Sequence, residues 1–178
     1  FALLPLAVAH AAQAHDHEHG SLAPHEHGVG TLNVALDDKT LELDLDGPAM
    51  NLVGFEHAAT TDADKATVAA AKARLENPLA LFNLPPAAKC VVEAQELSSP
   101  LFDPAPEEGA SNAKAEHHHS DIEAHYAFTC ADTASLKTLD LSRFFKTFPG
   151  THSFKVQLIG PNGQQAVNVS AKAPTLTF

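Results

Sequence analysis

The 178-residue chain has no tryptophan, one methionine, one tyrosine and two cysteines. So little methionine argues against a thioether site for copper(I). The cysteines show no C-x-x-C spacing, which gives no support to a thiolate metal site. Basic residues are scarce too: 11 Lys and Arg stand against 22 Asp and Glu, for a net charge of −11. Nucleic-acid binding draws on clustered positive charge, so no nucleic-acid partner is expected. No basic amphipathic segment points to a membrane surface. The sequence holds no H-E-x-x-H, no G-x-S-x-G and no cysteine nucleophile with a partner histidine, so nothing marks it as an enzyme.

What the chain has is histidine, 12 residues in all. Residues 15–27 read HDHEHGSLAPHEH, with His15, His17, His19, His25 and His27 alternating with acids. In extended chain, residues i and i+2 face the same way, so such imidazoles pair on one side. Neutral imidazole suits zinc, copper and nickel, and carboxylates add harder oxygen donors. A polar tail or a purification remnant is the plainer explanation. A tag would be an unbroken terminal run, however, and this stretch flows into a strand pattern. The theme recurs at Glu116, His117, His118, His119 and Asp121, followed by His125, and again at Glu56-His57. His152 stands alone, and a lone histidine is more often a surface residue than a ligand. A negative potential also draws divalent cations at long range. The composition points to metal.

The first residues, FALLPLAVAHAAQA, are too short an apolar run to span a bilayer, which takes about 20 residues. They read as the end of a signal peptide, residues 1–14, cleaved after Ala14. Residues 15–178 then form one domain of an exported protein, with no membrane insertion expected. In an oxidising compartment Cys90 and Cys130 are best read as a disulfide. Closing a loop of about forty residues would stabilise the fold by about 4 kcal/mol.

Thr31 to Leu36 and Leu41 to Leu45 alternate apolar with polar around Asp37-Asp38-Lys39, a β-hairpin signature. Thr60 to Asn77 reads as a helix capped by Thr61 or Asp62, its thin apolar stripe made of Val68, Ala69, Ala71 and Leu75. Leu79 to Leu84 suggests one helical turn, and Lys89 to Leu97 a strand. Residues 98–120 have the composition of a flexible acidic, His-rich loop, and residues 15–24 that of a flexible His-rich terminus. Asp121 to Cys130 alternates strictly, setting Asp121, Glu123 and His125 opposite the apolar set. Leu136 to Leu141 suggests a short strand. Ser142 would cap a short helix whose Phe144, Phe145 and Phe148 anchor the core. Ser153 to Ile159 and Gln165 to Ser170 flank Gly160-Pro161-Asn162-Gly163, a hairpin turn. Leu176 to Phe178 would add an edge strand. The sum is a single α+β domain: an antiparallel sheet of about six or seven strands with an inserted helical segment.

HEHGVGTLNVAL, PAMNLVGFEHA, HSDIEAHYAFTC and FFKTFPG…VQLIGPNGQQA together resemble the ZrgA-like family of periplasmic zinc-binding proteins, associated with zinc-regulated import. The resemblance runs from about His25 to Val169, and PAMNLVGFEH is its most specific part. It implies a periplasmic zinc-binding accessory of an uptake system, a metallochaperone or buffer whose partner is a zinc importer or its solute-binding protein. Residue by residue, it maps His25 and His27, Glu56 and His57, and His119 and Asp121 onto family motifs. One tight site is expected from His25 or His27 with His57 and one of His119 or His125. Glu56 and Asp121 would act as orienters or carboxylate ligands. His15, His17, His19, His117 and His118 would capture metal weakly. A periplasmic zinc hydrolase, or a copper(II) or nickel(II) protein of the same fold, remains open from the residues.

Overall fold

Alternation of apolar and polar residues builds the centre of the sheet. In the computed structural model, which describes residues 26–102 and 120–178, β1 (Val29–Asp37) and β2 (Thr40–Pro48) form an antiparallel hairpin turned at Asp38-Lys39. Leu32, Val34 and Leu36 from β1 and Leu41, Leu43 and Leu45 from β2 are buried on one face. Between them, Asn33, Asp44 and Asp46 face solvent. α1 (Ala49–Leu52) and α2 (Asp62–Leu75) follow, with α3 (Pro78–Leu81) starting at a proline that supplies the fixed φ of a first helical turn. α2 begins in a capping box: Asp64 N donates to Thr61 Oγ1 at 3.1 Å, and Thr61 N donates to Asp64 Oδ2 at 3.4 Å. Its buried residues are Val68, Ala71 and Leu75. Ala69 is exposed, so the stripe is narrower than the sequence suggests.

β3 (Cys90–Ser98) and β4 (Asp121–Cys130) make the second hairpin, then β5 (Thr138–Asp140), α4 (Ser142–Thr147), β6 (Ser153–Gly160), β7 (Gly163–Ser170) and β8 (Thr175–Thr177). The six-stranded sheet runs β3-β4-β2-β1-β6-β7. The α+β class and the strand number agree with the sequence reading. One pairing, β1 with β6, is parallel, so the sheet is mixed. A contact between strands so distant in sequence leaves no local trace. The last strand also goes elsewhere than expected: β8 pairs with β5 in a separate two-stranded sheet.

Among the described residues, only one face of the large sheet is covered. Phe82, Tyr126, Phe144, Phe148 and Phe154 are each at most 2 % exposed beneath the helical layer. Phe144 sits at the middle of this aromatic set, 5.9 Å from Phe82, 5.1 Å from Phe148 and 5.0 Å from Phe154 between ring centroids. α4 starts with help from a neighbour: Asp140 Oδ1 accepts from Ser142 N at 2.9 Å, and Ser142 Oγ donates to Asp140 Oδ2. Asp140, rather than Ser142, thus does the capping, and these bonds hold its carboxyl below the usual carboxylate range.

Cys90 and Cys130 are disulfide-bonded. They face each other at the start of β3 and the end of β4, the far end of that hairpin from its connecting loop. The bond therefore closes the open end of the hairpin and does not pin the His-rich loop. The loop's ends are held by Ser99, whose Oγ donates to Asp121 O at 2.7 Å. The expectations on residues 1–25 and 103–119, including the signal peptide and both histidine clusters, lie outside the described residues.

Tyr126 O–H donates to Leu75 O at 3.0 Å, satisfying a carbonyl in the last turn of α2. Burial pushes its phenol far above the ordinary value. A raised acid pKa contributes stability that is complete below the unfolded value, about 10, and lost as pH rises beyond it. The stability gap between wild type and Tyr126→Phe should therefore narrow as pH rises above about 10. Urea midpoints at each pH measure it.

Candidate metal centre

The N-terminal end of β1, the C-terminal end of β2 and the N-terminal end of β4 meet at one edge of the sheet. β2 leaves this edge through α1, which places Asn51 inside, 2 % exposed. An interior carboxamide must satisfy its polar atoms. Asn51 Oδ1 accepts from Gly28 N at 2.6 Å, and Asn51 Nδ2 donates to Val29 O at 3.0 Å. Gly150 packs so tightly that a Cβ there would come 2.6 Å from Asn51 O. Asn51 thereby ties the residues just after His27 to the segment that leads to Glu56.

The result is a pairing across 29 residues of sequence: His27 Nε2–H donates to Glu56 Oε1 at 3.0 Å. The His27 side chain is 54 % exposed and that of Glu56 18 %, so the pair lies at the surface with its carboxylate half-sunk. Ser120 fixes the Glu56 backbone: Ser120 Oγ donates to Glu56 O at 3.1 Å, and Ser120 O accepts from Ala49 N at 2.8 Å. Ser120 also leads directly into β4 at Asp121. Neither Asn51 nor Ser120 stood out in the sequence. A polar residue inside the apolar stretch AMNLVGF was the available signal for Asn51.

The other histidines separate. The ring of His57 stacks on Phe55 at 4.6 Å, and its Nδ1–H donates to Ala58 O at 3.0 Å, so its described contacts are local. His125 lies on the open face of the sheet with Nδ1 2.5 Å from Asp44 Oδ1. Four residues of β4 separate His125 from Asp121, an advance of ~13 Å, too far for both to hold one ion. Glu96 and Asp44 flank His125 on neighbouring strands, in a shallow depression with Asp46 and Glu123. His25 and His119 lie outside the described residues, as do His15, His17, His19, His117 and His118. Among the described residues no group of three or more His, Cys, Asp or Glu is arranged to hold a metal.

The model of a family described as ZrgA family zinc uptake protein matches residues 24–178. The chain belongs to that family. No curated protein matches it. The family match ties the molecule to zinc uptake and covers the whole described region, with the His27–Glu56 edge at its beginning. No described helix is long and apolar enough to cross a membrane.

Replacing Asn51 by Ala strands the buried Gly28 amide and the Val29 carbonyl. The expected cost is about 2–4 kcal/mol, from two unsatisfied backbone groups. A lower urea midpoint at unchanged m-value checks it. An unchanged midpoint would show that the tie is dispensable.

Proposed function

We propose that this ZrgA family protein is an exported, periplasmic zinc-binding accessory that buffers zinc or passes it to an import system. Its ion-holding centre is the sheet edge where His27 meets Glu56. The observation that carries this is the 3.0 Å pair of imidazole Nε2 and carboxylate Oε1 on a rigid, braced edge. Two ligands at zinc distances of about 2.1 Å and a tetrahedral angle stand ~3.4 Å apart. The pair needs to open by only a few tenths of an ångström, the ion taking the place of the Nε2 hydrogen, which moves to Nδ1. The sequence neighbours of Glu26 and Ser120 at this edge are His25 and His119, and Asp121 begins β4 beside them. These residues and His57 are the donors from which an exchangeable ligand can be drawn. The clusters at His15, His17, His19, His117 and His118 capture ions weakly and raise the local supply. His125, with Asp44, belongs to the open face and not to this centre.

Zinc takes only neutral imidazole, so binding displaces a proton from each ligand histidine that is charged at the working pH. Calorimetric titration in buffers of different ionisation enthalpy should therefore show proton release that grows as pH falls and is smaller in His27→Ala. That variant and Glu56→Gln should each weaken the tightest zinc affinity by at least about tenfold. Copper(II) and nickel(II) competition in the same titration tests the choice of metal. Unchanged zinc affinity in both variants would place the centre elsewhere.

A second expectation separates the clusters from the centre. Acid-rich clusters favour protonated imidazole, so stoichiometry should fall from several ions toward one between about pH 7.5 and 6. A chain lacking residues 15–19 and carrying His117→Ala and His118→Ala should keep the tight ion and lose the weak ones. Loss of the tight ion in that chain would make the clusters themselves the site.

A further inference from the structure

His152 lies in the connection between α4 and β6, far in sequence from every other histidine of the edge. The fold carries it there. His152 N and Ser153 N both donate to Gly28 O, at 2.7 and 3.1 Å, where β6 joins β1 in parallel. Gly28 has φ +87, a left-handed conformation that glycine adopts without strain. A Cβ on Gly28 would come 2.5 Å from His152 Nδ1 and 3.2 Å from its Cγ and Cε1. The imidazole thus occupies the space that any side chain at position 28 would fill.

That contact bounds the distance to the backbone of His27. His152 Nδ1 is within ~4 Å of Gly28 Cα, and one 3.8 Å step along the chain reaches His27 Cα, for about 8 Å at most. Both histidines are exposed at the surface. His57, in contrast, has its ring stacked on Phe55 and bonded to Ala58.

We propose that His152 is the third protein ligand of the zinc ion held by His27 and Glu56, closing onto it when the ion arrives. This rests on the centre proposed above. Two imidazoles and one carboxylate leave the fourth position of a tetrahedral zinc open to an exchangeable donor. An acceptor can enter there before any protein ligand leaves, which suits a protein that must release its cargo.

The experiment is a double-mutant cycle on zinc affinity with His27→Ala, His152→Ala and the double variant in the full chain. Zinc-edge X-ray absorption on the loaded wild type and His152→Ala counts the imidazoles. The expected result is that each single variant weakens the tightest site at least about tenfold, that the double loses little more, and that His152→Ala removes one imidazole. His152 is exposed, so its replacement should leave the urea midpoint unchanged. If His27→Ala weakens binding and His152→Ala does not, the His152 assignment falls and the His27–Glu56 centre stands. Fully additive losses put His152 at a separate site and overturn the assignment as well. If neither variant weakens binding, the centre itself falls, and the role of His152 with it.

Discussion

The buried carboxamide of Asn51 is the constraint on which the candidate centre depends. It holds the start of β1 through Gly28 and Val29. The backbone carbonyl oxygen of Asn51 accepts from Thr151 Oγ1 at 3.5 Å, just ahead of β6. The chain segments that carry His27, Glu56 and His152 thus meet at one residue. A buried polar group that is fully satisfied admits few alternatives, because every rearrangement leaves a donor or acceptor unpaired. Rigidity at this edge follows from that accounting, even though the imidazoles themselves stand in solvent.

The one-sided sheet explains how so acidic a chain stays folded. Every large buried side chain belongs to a single core between sheet and helices. The acids of β2, β3 and β4 collect on the uncovered face, where water and salt screen them. Asp44, Asp46, Glu96 and Glu123 lie close together there, an arrangement that burial would forbid. Net negative charge then raises the local concentration of divalent cations. Charge and core are thereby kept on opposite sides of the same strands.

Much of the fold was legible because it is local. The β1–β2 hairpin, the β6–β7 hairpin over Pro161-Asn162, the capped α2 and the alternation of β4 all follow from period and turn chemistry. Even the disulfide partners could be named, although their place at the open end of the β3–β4 hairpin could not. The parallel β1–β6 pair and the separate β5–β8 sheet were hidden, since both join segments with no sequence relation. The same division holds at the site. Glu56-His57 attracted notice as adjacent ligand types, but the fold pairs Glu56 with His27 and sends His57 to Phe55. His125 looked available as a ligand and lies on the other face of the problem, beside Asp44.

By itself the sequence determined the kind of chemistry: histidine and carboxylate in excess, almost no methionine, two cysteines bound to each other, and a charge that attracts cations. It also determined which face of each strand would be buried, because side chains alternate with a period of two. Only the tertiary structure decided which ligands share an edge. That choice depends on strand order, on the parallel joining of β1 to β6, and on a glycine at position 28 with room for the His152 ring. Such relations connect residues more than a hundred positions apart, and they exist only once the core between them has closed.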